Sequence, residues 1–277
     1  MSPTATLASR SQDRALDRIR QLVQDQTGIM LKENKGSLVK ARIAKRMQKL
    51  GLIEYDKYLC LILDDTSGRE LQYLVDAVST NTTSFYRESE HFKFIRSVVN
   101  DWMKKGKRSF RFWSAASSTG EEPYTLAIEL REVFGQTNID TKILATDINQ
   151  EVLIAAQKGI YSEDNVLPVP KPLRNKYFSR QSAGNRSQYA VVNDLKKMIL
   201  FRQFNLITPP YPIQPDLDMI ICRNVMIYFD HKLRRMLAAE FERLIRPGGY
   251  LLIGHAESLT GIVKNMKCVK PSIYVKE

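Results

Sequence analysis

The sequence predicts an α/β fold: a mostly parallel sheet flanked by helices, preceded by an all-α domain and interrupted by a small antiparallel insertion. Three observations predict this arrangement. From Arg111 onwards, short apolar runs that end in small or acidic residues alternate with stretches of helical periodicity. Residues 1–80 show helical periodicity and no strand pattern. Within residues 161–204 the alternation breaks, because prolines and alternating apolar runs replace it.

The clearest unit of the sheet lies between Arg111 and Asp147. A strand starting at Arg111 ends in the small residues Ser117-Ser-Thr-Gly120, and a second strand, 142–147, ends in Asp147. Between them, Pro123 stands near the start of a helix with apolar residues at helical spacing. This is a βαβ unit, and such units bind ligands across the carboxyl ends of their strands.

The turn after the first strand indicates what kind of ligand fits. It contains one glycine, Gly120, where a dinucleotide-binding turn has three, and Glu121 and Glu122 would repel a phosphate at the helix start. A cationic nucleoside without a pyrophosphate fits better, and S-adenosylmethionine meets that description. The alternative is an ordinary βαβ turn with solvated carboxylates.

Length and composition set further bounds. The chain has 277 residues, 43% of them hydrophobic and 26% charged, which is typical of one large domain plus a small one. There is no apolar run of roughly 18 residues and no signal-peptide pattern, so we expect a cytoplasmic protein without membrane insertion. The three cysteines are far apart, which predicts reduced thiols and no metal site.

Net charge predicts an acidic partner, because the formal charge is +12 and the sequence pI is about 9.5. Residues 32–49 contain seven basic side chains and one acid. Asn34 or Ser37 could cap a helix here that Gly51 ends, with one apolar face and one basic face. The basic face consists of Arg42, Lys45, Arg46 and Lys49. Its alternative interpretation is a solvated surface without a partner.

The remaining elements follow from periodicity and punctuation. A polar segment, 79–88, precedes an amphipathic helix and could be either a ligand-binding set of donors or a helix cap. A helix at 149–157 ends at Gly159, residues 182–187 form a hairpin loop, and the sheet resumes with 217–222. A helix from about His231 to Ile245 and strands at 250–254 and 272–276 complete the chain. The motif Thr208-Pro-Pro-Tyr211 resembles one of nucleic-acid amino-methyltransferases, but it precedes its strand instead of closing it.

Taken together, several motifs resemble the chemotaxis receptor methyltransferases of the CheR family. They are Ser79-Thr-Asn-Thr-Thr-Ser-Phe-Tyr-Arg-Glu88, Trp113-Ser-Ala-Ala-Ser-Ser-Thr-Gly-Glu-Glu-Pro-Tyr124, Ala145-Thr-Asp-Ile148, Ile221-Cys-Arg-Asn-Val-Met-Ile-Tyr-Phe-Asp230 and Gly254-His-Ala-Glu-Ser258. The resemblance implies a basic helical domain (1–80), a Rossmann-like methyltransferase domain (81–277) and an inserted β-subdomain (161–204). It also implies methyl transfer from S-adenosylmethionine to glutamates on the cytoplasmic helical bundle of chemoreceptors, leaving S-adenosylhomocysteine.

The resemblance assigns residues to this reaction. The cofactor-binding set would be Asn81, Thr83, Arg87, Glu122, Asp147, Asn205, Leu206, Arg223 and Asn224. Asp147 would accept the ribose hydroxyls and Glu122 would meet the ammonium group. Arg87 and Tyr228 would face the acceptor carboxylate. No general base is expected, because that carboxylate is already ionised.

Two alternatives remain open on the sequence alone: a methyltransferase acting on nucleic acid, and a regulatory module that binds the cofactor product without turnover. We favour a monomeric enzyme acting on receptors and not on nucleic acid. Family members that dock on a C-terminal receptor tether are expected to carry a glycine-patterned hairpin loop with a nearby arginine. Here the loop has one glycine, Gly184, with Arg186 two residues later, which favours a tether-independent enzyme.

Overall fold

The computed structural model describes residues 3–30, 36–183 and 186–277. It divides into two compact units. The helical unit contains the described residues up to Thr80 together with Tyr228–Leu233, and the sheet unit contains Asn81–Ile227 and Arg234–Glu277. The proposed helix cap Asn34 and the hairpin residue Gly184 lie outside the described residues, and Ser37 lies inside a helix.

Amphipathic helices build the helical unit. They are α1 (Pro3–Thr27), α2 (Gly36–Lys49), α3 (Tyr55–Asp64) and α4 (Arg69–Val78). The apolar face predicted for α2 is largely confirmed, since Val39, Ile43 and Met47 are buried while Leu50 is exposed. These side chains share one core with Tyr58 and with residues of α1 and α4.

The sheet unit is built from alternating strands and helices. Its helices are α5 (Ser89–Lys104), α6 (Glu121–Phe134), α7 (Gln150–Lys158), α8 (Glu163–Val166), α9 (Lys171–Tyr177), α10 (Asn193–Lys196) and α11 (His231–Leu244). Its strands are β1 (Ser109–Ala115), β2 (Asp140–Asp147), β3 (Ile160–Ser162), β4 (Phe178–Ala183), β5 (Arg186–Val191), β6 (Ile199–Gln203), β7 (Leu217–Cys222), β8 (Ile245–Ile253), β9 (Met266–Lys270) and β10 (Ile273–Lys276). A 3₁₀ helix, Met226–Tyr228, follows β7.

The main sheet has the strand order β6-β2-β1-β7-β8-β10-β9. Strands β6, β2, β1, β7 and β8 run parallel, whereas β10 is antiparallel to both of its neighbours. The chain leaves β1 toward β2 on one side and later returns to place β7 on the other side. The carboxyl ends of β1 and β7 therefore flank a topological switch point, which is where ligands of open α/β sheets bind.

A second sheet, of order β3-β5-β4, is antiparallel throughout, as predicted for the insertion. The predicted insertion extended to residue 204, but the structure places β6 in the main sheet, parallel to β2. The alternating apolar pattern near residues 199–203 predicts an antiparallel strand of the insertion, but it belongs to an edge strand of the main sheet. Strand β6 is an edge strand whose Ile199 and Phe201 face the core while its other residues are exposed. A half-buried edge strand alternates whether it is parallel or antiparallel.

Aromatic side chains pack around Trp113 of β1. Trp113 contacts the rings of Phe204, Tyr211 and Phe241 edge-on, with centroids 5.5–5.8 Å apart. The indole N–H of Trp113 donates to Thr146 Oγ1 at 2.9 Å, so the buried polar atom is satisfied.

Among the described residues, no helix combines the length and the hydrophobicity that a membrane span requires.

Candidate active site at the carboxyl edge of the sheet

The turn after β1 is shaped by backbone conformations that side chains rarely allow. Ala116 and Ser118 have positive φ angles of 60° and 49°, and Gly120 has a φ of 97°. A Cβ atom on Gly120 would lie 2.9 Å from Ala156 Cβ and 3.0 Å from Tyr161 Oη. Glycine is therefore required at this position by conformation and by space together.

Asp147, at the end of β2, anchors this turn. Its carboxylate accepts the N–H of Ser118 at Oδ2 and the N–H of Asn149 at Oδ1, both at 2.9 Å. Burial raises the pKa of Asp147, and the backbone N–H groups of Asn149, Ser118 and Ile148 oppose that rise. Each carboxylate oxygen has a further lone pair, so the group can also accept hydroxyl donors from a ligand.

Ser117, in the turn after β1, also indicates that this turn binds a ligand. Its side chain is buried, and its Oγ has no hydrogen-bond partner among the described residues. Buried hydroxyls are normally paired, so an unpaired one in a ligand-binding turn indicates that a ligand supplies the partner. A polar turn, an acidic acceptor and an unpaired hydroxyl fit the ribose and amino-acid portions of S-adenosylmethionine.

Glu122 and Arg223, both predicted to bind the cofactor, form an ion pair with each other. Arg223 Nε donates to Glu122 Oε2 at 2.7 Å, and Ser114 Oγ donates to Oε1 at 2.7 Å. Both side chains are almost completely buried. The carboxylate is already neutralised, so an interaction of Glu122 with an ammonium group stays a prediction.

Arg223 also fixes the segment that precedes α5. Its Nη1 donates to the carbonyl oxygen of Arg87 at 2.7 Å and lies 3.3 Å from Glu88 Oε2 and from His91 Nδ1. The guanidinium carbon stands 5.2 Å from the centroid of the Phe92 ring. This arginine therefore connects the turn after β7 with the start of α6 and with the backbone of Arg87.

The predicted residues of segment 79–88 gather at the same edge. The carbonyl oxygen of Asn81 accepts Ser118 Oγ at 3.0 Å. Arg87 is half-exposed, and its Nη1 donates to the carbonyl oxygen of Thr82 at 2.8 Å. Thr83 is half-buried in the same segment. The structure thus brings Asn81 to the turn after β1 and Arg87 to Arg223.

Asn205 and Leu206 follow β6, next to the end of β2. The N–H of Phe204 donates to the carbonyl oxygen of Asp147 at 2.9 Å, which holds this stretch beside Asp147. Asn205 Oδ1 accepts the N–H of Ile207 at 3.2 Å, and Leu206 is buried. These positions are compatible with the predicted cofactor pocket.

Glu88, His91 and Glu257 lie at this edge although the sequence assigned them no role. Glu88 Oε1 accepts Asn224 Nδ2 at 3.2 Å and the N–H of His255 at 3.3 Å. Glu257 accepts backbone N–H groups from the turn after β7. Glu88 and Glu257 both stand in the quoted motifs, but a motif does not show which backbone a carboxylate reaches.

Tyr228 ends the 3₁₀ helix and belongs to the helical unit. Its carbonyl oxygen accepts the N–H of Met30 at 2.8 Å. Its pairing with Arg87 at an acceptor carboxylate stays a prediction.

The predicted basic face of α2 divides into two kinds of residue. Arg42 Nη1 donates to the carbonyl oxygens of Val78 and Ser79, and Arg46 makes two hydrogen bonds to Glu70, at 2.9 and 2.6 Å. These two arginines therefore stabilise the helical unit from within. Lys45 and Lys49 are exposed. The sequence pattern could not separate them, because all four side chains lie outside the apolar stripe.

Comparisons with known proteins agree with this geometry. Residues 81–275 match the family model "CheR methyltransferase, SAM binding domain", and residues 14–79 match "CheR methyltransferase, all-alpha domain". A chemotaxis protein methyltransferase of Borreliella burgdorferi is 37% identical over 94% of this chain and 93% of its own length. Chemotaxis protein methyltransferase 2 of Pseudomonas aeruginosa is 36% identical over 92% of this chain and 90% of its own. The chemotaxis protein methyltransferase of Salmonella typhimurium is 33% identical over 93% of this chain and 88% of its own length. The chain therefore belongs to the CheR family of S-adenosylmethionine-dependent chemotaxis methyltransferases.

Proposed function

We propose that this enzyme methylates glutamate side chains on the cytoplasmic helical bundle of bacterial chemoreceptors, forming glutamate methyl esters during chemotaxis adaptation. The observation that carries the choice of a carboxylate acceptor is Arg87. The residue is half-buried, its Nη1 donates to the carbonyl oxygen of Thr82 at 2.8 Å, and its own carbonyl oxygen accepts Nη1 of the buried Arg223. The remaining N–H groups of such an anchored guanidinium are suited to hold a carboxylate through two hydrogen bonds.

In this proposal the carboxyl edge of the sheet holds S-adenosylmethionine. Asp147 would accept the ribose hydroxyls, and Ser117 and Asn81 would contact neighbouring polar groups of the cofactor. The bound cofactor supplies a methyl group on a positively charged sulfur, which is an activated leaving group.

The acceptor needs orientation more than activation. A glutamate side chain is ionised at neutral pH, so one of its oxygens can form the new bond to the methyl carbon directly. The carbon–sulfur bond breaks in the same step, and its electron pair remains on sulfur. Arg87 would orient the carboxylate and Tyr228 would donate a further hydrogen bond, so no proton needs to be removed.

Recognition of the receptor is the least local part of the proposal. We infer that the exposed Lys45 and Lys49 contact acidic helices of the receptor, because the chain is strongly basic and these lysines make no hydrogen bond to the helical unit among those described. A single glycine in the β4–β5 loop supports an enzyme that does not require a C-terminal receptor tether. We also propose that it acts in the cytoplasm as a monomer.

The central experiment follows labelled methyl groups from S-adenosylmethionine to receptor cytoplasmic domains. We expect base-labile labelling by the wild type and a loss of at least about 100-fold in kcat/KM for Arg87→Ala, with cofactor affinity reduced far less. Arg108→Ala is the matched control, because Arg108 Nη1 also donates to a carbonyl oxygen five residues earlier, at 2.8 Å. The control should retain wild-type turnover.

Other outcomes would contradict the proposal. Label that is sensitive to nuclease would identify a nucleic-acid methyltransferase. Binding of S-adenosylhomocysteine without any transfer would identify a regulatory module. A loss of turnover in Arg87→Ala that only matches its loss of cofactor affinity would remove Arg87 from the acceptor site.

A further inference from the structure

Glu257 lies in the loop after β8, and its carboxylate is surrounded by backbone N–H groups. Oε2 accepts the N–H of Gly254 at 2.6 Å and that of Asn224 at 2.9 Å, while Oε1 accepts the N–H of Ile227 at 3.2 Å. The carboxylate therefore ties the end of β8 to the turn after β7 at two points. Such charge-assisted hydrogen bonds are stronger than those between neutral groups.

The turn that Glu257 holds is strained and tightly packed. Asn224 has a φ of 59°, a conformation that asparagine tolerates better than most residues. A Cβ atom on Gly254 would lie 2.5 Å from Asn224 Nδ2 and 2.9 Å from Glu257 Oε2. Asn224 thus packs directly on the backbone at the end of β8, and that position accepts glycine alone without a shift of its neighbours.

A second carboxylate holds the same asparagine from the other side. Glu88 Oε1 accepts Asn224 Nδ2 at 3.2 Å, so Asn224 is bound through its side chain by Glu88 and through its backbone by Glu257. Glu88 directly follows Arg87, and Ile227, bound by Glu257, directly precedes Tyr228. Glu88 and Glu257, together with the residues Asn224 and Ile227 that they bind, form what we call the Glu88–Glu257 clamp. Each of the two residues proposed to face the acceptor is the chain neighbour of a residue in this clamp.

The electrostatics of Glu257 indicate more than a structural hydrogen bond. Burial raises the pKa of Glu257 despite the N–H groups of Gly254, Asn224, Ile227 and Met226 that oppose the rise. The carboxylate is therefore kept at a cost in free energy. Unfavourable groups of this kind are concentrated at functional sites.

We propose that Glu257 is a positioning residue for methyl transfer, which holds the 224–228 segment, and with it Tyr228, in the conformation that the acceptor requires. The part of this inference that concerns Tyr228 rests on the proposed function. Glu257 itself touches backbone and takes no part in bond making. Its loss should affect turnover more than cofactor binding.

The test compares Glu257→Gln with Glu240→Gln. Glu240 also accepts a backbone N–H, from Tyr211 at 3.0 Å, but it lies near the end of α11 and outside the clamp. We expect Glu257→Gln to lower kcat at least about tenfold, with S-adenosylhomocysteine affinity within about threefold and Tm within a few degrees of wild type. Glu257→Asp, which keeps the charge, should recover part of the loss. Glu240→Gln should turn over normally.

A double-mutant cycle with Tyr228→Phe separates positioning from a general structural effect. If Glu257 acts through the 224–228 segment, the double variant should be no more than about threefold worse than the poorer single variant. Losses that multiply fully, or wild-type kcat in Glu257→Gln, would overturn the inference. If Tyr228→Phe alone is fully active, the acceptor role of Tyr228 in the proposed function fails. In that case a reduced kcat of Glu257→Gln, with Tm and affinity unchanged, still supports a positioning role of Glu257 for the turn after β7, whereas a wild-type kcat overturns it.

Discussion

Residues in strained backbone conformations gather around the candidate site. Non-glycine residues with positive φ include Tyr86, Glu88, Ala116, Ser118 and Asn224, all in segments at the carboxyl edge of the sheet. Each such conformation costs on the order of 1–3 kcal/mol, so they persist only where the surrounding contacts enforce them. Here the hydrogen bonds made by Arg223, by Asp147 and by the Glu88–Glu257 clamp hold these residues in their conformations.

Asp147→Asn should weaken binding of S-adenosylhomocysteine by about 1–3 kcal/mol, or roughly 5- to 150-fold. The amide has one acceptor oxygen, and its NH₂ group would face a backbone N–H of Ser118 or Asn149. Calorimetric titration measures the change. Asp194→Asn, an exposed site in α10, serves as the matched control and should bind normally.

The same pair of proteins tests the charge of Asp147. Burial raises its pKa, so protonation begins at a higher pH than for an ordinary aspartate, and the protonated group accepts hydrogen bonds poorly. Wild-type affinity should therefore fall as the pH is lowered through this raised pKa, whereas the affinity of Asp147→Asn should stay flat. Parallel pH profiles for the two proteins would remove Asp147 from the cofactor site.

The close packing of the turn from β1 to α6 can be tested by substituting two glycines. Gly120 and Gly106 have nearly the same φ, 97° and 92°, but a Cβ on Gly106 would meet nothing within 4 Å. Gly106→Ala should therefore show the cost of backbone strain alone, about 1–3 kcal/mol in the free energy of unfolding. Gly120→Ala should cost about 1–3 kcal/mol more because of crowding against Ala156 and Tyr161. Urea unfolding measures both free energies, and an equal loss of stability in Gly120→Ala and Gly106→Ala would contradict the close packing of this turn.

A largely buried ion pair stabilises the helical unit. Arg46 makes two hydrogen bonds to Glu70, and Tyr58 Oη donates to the same carboxylate at 2.8 Å. Arg46→Ala should destabilise α2–α4 by about 3–5 kcal/mol, because it leaves a buried charge without its partner. Native-state hydrogen exchange of these helices measures the loss. Lys45 is one residue away and exposed, so Lys45→Ala should change the opening free energy measured by hydrogen exchange by no more than about 0.5 kcal/mol.

The elements that the sequence predicted well are those whose signal is local. Strand β7 is buried at every position and is apolar except for Asp218, so its sequence indicates a buried strand, and α7 carries an Asn149 cap and ends before Gly159. Strand β9 was not predicted, because Met266 is its one buried residue and the rest of the strand is exposed. Asp147 could be identified because it ends a strand. The clamp on Asn224 could not, since it joins residues far apart in the chain.

The positive net charge of the chain should govern its encounter with the proposed receptor substrate. We expect Lys45→Glu with Lys49→Glu to lower kcat/KM on receptor domains at low salt, and the difference from wild type to shrink as added salt shortens the Debye length from about 10 Å at 0.1 M to about 3 Å at 1 M. The control pair, Lys104→Glu with Lys105→Glu, reverses two exposed lysines at the end of α5.

Receptors with and without their C-terminal tail complete the design. Tail removal should leave the rate unchanged. A strong requirement for the tail, together with indifference to the Lys45 and Lys49 reversal, would assign docking to the small antiparallel sheet instead.

The return of the chain to the helical unit at Tyr228–Leu233 affects how the protein can be divided experimentally. A fragment that starts at Asn81 contains every strand of both described sheets, yet it also contains six residues that belong to the other compact unit. In that fragment the carbonyl oxygen of Tyr228 loses the N–H of Met30, and the first residues of α11 are separated from the compact unit to which they belong. An inactive fragment would therefore not show that the helical unit binds substrate. Supplying residues 1–80 as a separate chain, and asking whether activity returns, would distinguish support of Tyr228 from recognition of the receptor.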